Sequence, residues 1–423
     1  MSDVILNANQ ASSLVQTLDS TSATRNPFMY SYPRDLEHSN IPCHSVSYHV
    51  IQPNSTKAFN SSNDFLIPKQ GFLTKLFLKL QIKNTSGASA YHSHALAPLL
   101  VNEIELLTQG RRIYHQTSES LLAYVSDQPY AGKKAMETAM NISASGATSP
   151  NIANSGTFTA YIPLLFYSFC NASASLHTDF LENLVLRANL GNVYQYFATA
   201  EDGDTAVSSG LSLETLELVG EYRRLPAVDE QKVVEYNYKE GNLILVNNDP
   251  VIETNTRTLS AGQQPIDITL NTNRVVQKMF IGVDMQDSSD RSSFIDQRGE
   301  FVKLDKIKFE AGGQVIIPDT IDMEMFQLLN QGSIDERGCT LSNHWDAATR
   351  KSTGNWYCIN FGLSKDEKRN SNAVSFRELT NAKITATVSN ATAGSHTITV
   401  VMVCAGLLSV SSASGRITQA LNS

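Results

Sequence analysis

Between residues 72 and 82 apolar and polar side chains alternate. Phe72, Thr74, Leu76, Leu78 and Leu80 fall on one face, Lys75 and Lys79 on the other. A period of two is that of a half-buried strand. Residues 100–107 repeat it, with Ile104 and Leu106 inward and Glu103 and Glu105 outward. The same reading predicts strands at 45–51, 64–67, 113–114, 158–167, 184–190 and 213–222. Thr117 ahead of Glu119, Leu121, Leu122 and Val125 predicts a capped helix with a buried face. Residues 127–158 are rich in Ser, Gly, Ala and Asn without an apolar period, and read as a long loop.

The pattern then returns. Shifted by 203 positions (275 − 72), the second half falls on the first without a gap for more than sixty residues. The run from Phe72 to Leu80 falls on that from Val275 to Val283, and Asp64-Phe65 on Asp267-Ile268. Ile104, Leu106, Gly110, Ile113 and Thr117 fall on Ile307, Phe309, Gly313, Ile316 and Thr320. Thr320 predicts a second helix with Met325 and Leu328 on its buried face, followed by a polar loop at 333–354. Strands are expected at 356–361, 382–388 and 397–403, the last almost wholly apolar.

Each half therefore has about eight short strands, one helix and one long loop. The expected fold is all-β, two tandem eight-stranded jelly rolls. A chain of 423 residues is also too long for one ordinary core. The expected division is an arm at 1–40, a first jelly roll at 41–228, a connector at 229–240, a second jelly roll at 241–412 and a tail at 413–423. In the arm, Val4, Ala8, Ala11, Val15 and Leu18 recur at helical spacing. A lone helix this short is marginal in water, so it is expected to order only against a partner.

Charge narrows the partners. The net charge is −8, and residues 1–40 hold Arg25 and Arg34 against Asp3, Asp19, Asp35 and Glu37. Such an arm does not neutralise phosphate, and no direct nucleic-acid binding is expected. Five cysteines without a C-x-x-C predict reduced, buried thiols rather than a disulfide framework or a zinc ribbon. The start Met1-Ser2-Asp3 lacks the basic and apolar regions of a signal peptide, so none is expected.

Candidate chemistry is sparse. His92-Ser93-His94 has the His-x-His form that a cupin metal site needs, but Glu103 follows too late for that site, and the pair reads as an exposed polar loop. Cys43, His44 and His49 read as packing. Asp284, Asp287, Asp290 and Asp296 cluster at a turn without the spacing of an EF-hand loop. No nucleophile elbow, phosphate loop or zincin motif occurs. No catalytic, cofactor-binding or metal residue is assigned, and no enzyme is expected.

Three stretches carry a resemblance: Gly71-Phe72-Leu73-Thr74-Lys75-Leu76-Phe77-Leu78, Val101-Asn102-Glu103-Ile104-Glu105-Leu106 with Gly110, and Tyr161-Ile162-Pro163-Leu164-Leu165-Phe166. With two tandem jelly rolls and an arm, the chain resembles the double jelly-roll major capsid proteins of icosahedral DNA viruses. That lineage includes tailless phages with an internal membrane, adenovirus and the large nucleocytoplasmic DNA viruses. The resemblance implies a homotrimer whose six jelly rolls form a pseudo-hexagonal capsomer, with the long loops outside. It implies a virion protein made in the host cytoplasm. Its partners would be further copies, minor capsid or vertex proteins, and an internal membrane reached through the arm. Outward Glu103 and Glu105 fall on Lys306 and Lys308, so these faces are expected at contacts between unlike jelly rolls. The alternatives are a minor capsid, vertex or receptor-binding protein, and a two-domain carbohydrate-binding protein or enzyme. The last usually displays a row of aromatics, which is not evident in a chain with two tryptophans.

Overall fold

The structure is a computed structural model. It describes residues 45–421 except 129, 144–149, 167–168, 170–175, 201–205, 226, 228–241, 248–249, 287–300, 303, 322–324, 326–350, 353–355, 362–372, 392, 405 and 412–416. The arm, the connector, Cys43, His44, Asp287, Asp290, Asp296, Leu328 and most of the loop expected at 333–354 lie outside the described residues.

Eight main strands build the first half: β1 (Ser45–Ile51), β2 (Ser62–Leu66), β3 (Phe72–Asn84), β4 (Val101–Thr108), β5 (Arg111–Thr117), β6 (Thr157–Pro163), β7 (Val185–Leu190) and β8 (Leu211–Arg224). One sheet has the order β1-β8-β3-β6 and the other β2-β7-β4-β5, all antiparallel. First strand beside eighth and second beside seventh is the wrapping of a jelly roll. The core lies between the sheets. Leu76, Leu78, Leu80, Ile82, Ile162, Leu216 and Leu218 meet Phe65, Ile104, Leu106, Leu186 and Ala188, all buried. Alternation along β3 places its lysines on the opposite face, where Lys75 pairs with Glu221 and Lys79 with Glu217.

The second half repeats the plan with β9 (Pro250–Leu259), β10 (Gly262–Thr269), β11 (Val275–Gln286), β12 (Leu304–Ala311), β13 (Gln314–Ile317), β14 (Tyr357–Asn360), β15 (Lys383–Ala391) and β16 (Gly394–Cys404). Its sheets run β9-β16-β11-β14 and β10-β15-β12-β13. A separate core holds Met279, Ile281, Val283, Ile307, Phe309, Ile384, Ala386, Ile398, Val400 and Met402. The repeat extends to the turns. Gln109 and Gly110 join β4 to β5 with φ of 49° and 73°, and Gly312 and Gly313 join β12 to β13 with 59° and 76°. Two successive positive φ values make the hairpin turn whose twist suits antiparallel strands, which accounts for the glycine at the same place in both halves.

Two expectations are corrected. Residues 127–158 are not a continuous loop, because they contain α3 (Tyr130–Ala139) and a short strand, Asn151–Ile152. Ala, Lys, Met and Glu in that helix are strong helix formers, a signal hidden by the Ser- and Gly-rich stretch after it. Residues 413–423 are not a plain tail. Ile417–Leu421 pairs with Gly406–Ser411, which pairs with Asn242–Asn247 in a small third sheet.

Candidate assembly interface

Two helices precede α3: α1 (Leu96–Leu100) and α2 (Ser118–Asp127). As the sequence predicts, Thr117 caps α2. Its hydroxyl accepts from the Ser120 amide while the Ser120 hydroxyl accepts from the Thr117 amide. The cap fixes the direction of α2 and splits its apolar residues between two surfaces. Leu121 and Val125 enter the first core. Leu122 and Ala123, with Ala95 ahead of α1, leave it and pack on Phe280, Trp356, Cys358 and Val401 of the second half. Beside them the Lys278 ammonium lies 3.2 Å from the Asp127 carboxylate, with side-chain exposures of 12% and 4%. The first half thus lies against the outer face of the sheet that contains β11, β14 and β16.

This contact explains the apolar run in β16. Val400 and Met402 point into the second core, Val401 points out under α2, and Val403 packs beside it. A strand covered on both faces needs no polar alternation. Full burial of Leu122, Phe280 or Val401 is worth about 1.5–3 kcal/mol each relative to exposure.

The charged faces singled out in the sequence lie elsewhere, on the outer sides of the β2-β7-β4-β5 and β10-β15-β12-β13 sheets. Glu105 sits between Arg112, 3.6 Å away, and Arg187, 4.0 Å away. Arg187 in turn holds Asp64 through two bonds of 2.9 and 3.1 Å. Glu103 accepts from the Asn189 amide at 3.3 Å. On the second half Lys308 pairs with Glu310 at 2.5 Å, Lys306 is exposed, and Lys383 pairs with Asp267 at 3.0 Å. Burial raises the Asp267 carboxyl, but hydrogen bonds from Lys383 and Thr385 outweigh it and hold the group below its ordinary value. The two faces keep opposite dominant charge at equivalent positions.

His92 and His94 correct a further expectation: both are buried, not in an exposed loop. Ala90–His92 pairs with Phe197–Ala198 and Asn151–Ile152 in a small sheet. The His92 Nδ1–H donates to the Ser93 carbonyl at 2.8 Å, and its ring meets Phe158 edge-on. Burial pulls its pKa down to about 4. No trio of His, Cys, Asp or Glu able to hold a metal is found among the described residues. His49 packs edge-on against Tyr222, in line with its reading as a packing residue. Met325 departs from its expected burial and is 50% exposed. No helix among the described residues is long and apolar enough to cross a membrane.

A scan against protein-family models and a search of curated proteins find no match. Solved structures do match. PBCV-1 VP54 superposes with a TM-score of 0.68 at 13% identity, over 91% of this chain and 98% of that one. The Faustovirus major capsid protein gives 0.61 at 10% identity, over 95% and 97%. The mavirus major capsid protein gives 0.52 at 10% identity, over 95% of each chain. The chain carries the fold of viral major capsid proteins. The match spans both halves of this capsid fold, so the tandem arrangement is shared as well as the single jelly roll.

Proposed function

We propose that this chain is the major capsid protein of an icosahedral virus, a structural protein of the virion. The observation that carries the reading is the pair of jelly rolls in one chain, a fold shared over 91% of its length with PBCV-1 VP54. In this reading three chains supply six similar units, and one gene product tiles a hexagonal lattice. The capsomer is a homotrimer made in the host cytoplasm. Its neighbours are further capsomers, minor capsid or vertex proteins, and an inner membrane approached by Val4, Ala8, Ala11, Val15 and Leu18 of the arm. The Glu103 and Glu105 face and the Lys306 and Lys308 face meet at contacts between unlike jelly rolls of different chains. The chain has no catalytic role.

The deciding experiment is negative-stain microscopy of the purified protein with light scattering at micromolar concentration. A particle of trimer mass and hexagonal outline is the expected result. A monomer, or a dimer without that outline, overturns the reading.

A further inference from the structure

Two buried histidines sit at the joint between the first half and its contact with the second. His92 ends the short strand Ala90–His92 and is 3% exposed, and His94 follows the strand at 2%. The Ser93 carbonyl between them accepts two hydrogen bonds, from the His92 ring at 2.8 Å and from the Leu96 amide that opens α1 at 3.2 Å. The Ser93 hydroxyl accepts from the Ala95 amide at 3.4 Å. Ser143 holds His94 from the other side. Its amide donates to the His94 carbonyl at 3.0 Å, and its hydroxyl lies 2.8 Å from the His94 Nδ1. The next residue is Ala95, which packs with Leu122, Ala123 and Leu99 on Phe280, Trp356 and Val401 of the second half. The histidine pair is therefore adjoined directly to the contact between the halves.

The surroundings of His92 make the joint sensitive to a proton. Its ring faces Phe158 of β6 and Phe197. Ala90–His92, Asn151–Ile152, Phe197–Ala198, β6 and α1 carry no Asp, Glu, Lys or Arg. The ionisable group that acts on His92 is His94, and two imidazolium charges so close repel each other. Charged groups stand further along the joint. α3 carries Lys133, Lys134 and Glu137, and its Glu137 carbonyl holds Ile142 beside Ser143. The contact with the second half contains the Asp127 and Lys278 ion pair. A charge on the His92 ring is thus stripped of water without a carboxylate from the elements that enclose it, and opening the site to water relieves it.

We infer that His92 is an acid-sensitive latch on the contact between the two halves, and that its protonation frees residues 90–100 from the second half while both jelly rolls stay folded. The Ser93 carbonyl loses the ring that helps to orient it, α1 loses its fixed start, and Ala95 and Leu99 withdraw from Phe280 and Trp356. The latch is closed above the ring's ordinary value of 6.5 and opens as pH falls toward about 4. The device belongs to the single chain and does not depend on the trimer.

Trp356 reports on the contact. It is 1% exposed there, and Trp345 is the other tryptophan of the chain. In the full chain with Trp345→Phe, acrylamide quenching of Trp356 is followed from pH 7.0 to 4.5 beside far-UV circular dichroism. Hydrogen exchange, corrected for intrinsic rate, is read in peptides covering residues 90–100. The expected result at pH 4.5 is stronger quenching and exchange raised at least about tenfold, with the strand signal unchanged. His92→Gln and His92→Phe do not take up the proton, and the acid response is expected to disappear in both; the Phe variant refills the aromatic site should the Gln variant fail to fold. Asp127→Asn and Glu137→Gln remove the other acids at the joint and are expected to keep the response. A response that persists without His92, that vanishes with either acid, or that comes only with loss of the strand signal overturns the inference. So does a chain with native His92 that shows no response.

Discussion

His177 sits edge-on to Phe72 at 4.4 Å and tilted on Phe180 at 4.6 Å, and neither ring nitrogen meets a hydrogen-bond partner among the described residues. Burial pulls its pKa from 6.5 to about 4, as it does for His92. A histidine with a lowered folded pKa contributes its full stability above the unfolded value, about 6.5, and loses it as pH falls toward 4. The loss amounts to roughly 3 kcal/mol for each ring. Urea unfolding at pH 7.0 and 4.5 measures it. His177→Phe gives up no hydrogen bond, and its stability is expected to fall by roughly 2 kcal/mol less than wild type over that interval. An equal fall in both proteins would show that His177 does not titrate there. Single residues also mark the limit of sequence reading. Phe77 and Phe280 are the same residue in the same pattern, yet one is half-buried and the other sealed. Ile113 is buried and its counterpart Ile316 exposed. Tertiary neighbours decide these differences, and no local pattern encodes them.

At the scale of elements, the sequence is most legible where one face meets water. Along β3 and β4 alternation names the inward side chains, and the cap at Thr117 places α2. It is least legible where polarity and structure part company, as in α3 and the histidine strand Ala90–His92. The apolar run at 397–403 is visible in the sequence, but its cause, a helix from the other half, is not. Asp127 and Lys278 test that cause. Asp127→Ala strands a buried ammonium and is expected to cost about 3 kcal/mol, while Asp127→Leu with Lys278→Met is expected to return to within about 1 kcal/mol of wild type. Chemical denaturation of the three proteins checks it. A neutral single substitution would mean that the pair is hydrated and the two halves are held by apolar packing alone. Thr117→Ala removes the cap and is expected to cost about 1 kcal/mol in the same assay.

For the whole molecule, the duplication is legible because Gly110 and Gly313 pin one turn in one register. The order of the halves around a particle is not legible, since it depends on surfaces from separate chains. Two predictions belong here. Reversing Lys306 and Lys308 to Glu sets like charge against Glu103 and Glu105 if these faces meet, and is expected to lower the yield of assembled particles in sedimentation. Unchanged yield would remove these four residues from the contacts. Deleting residues 1–25 is expected to leave the trimer's melting temperature unchanged and to impair shell formation, because β1 begins only at Ser45. Particles built as efficiently without those residues would leave the arm no part in assembly.

The covered face of the second half has a consequence for biosynthesis. The first half leaves the ribosome first and folds while the remainder is still being made. When β11, β14 and β16 emerge, the surface that receives Phe280, Trp356 and Val401 already exists, so the earlier half acts as a mould for the later one. The requirement is lopsided, because Leu122 and Ala123 are small beside what they cover. Expressed alone, residues 45–225 are expected to stay soluble, whereas residues 242–421 are expected to aggregate. Supplying the first fragment beforehand should rescue the second. Chain order would then be a folding instruction, and a circular permutant that synthesises the second half first should give lower soluble yield from the same final contacts.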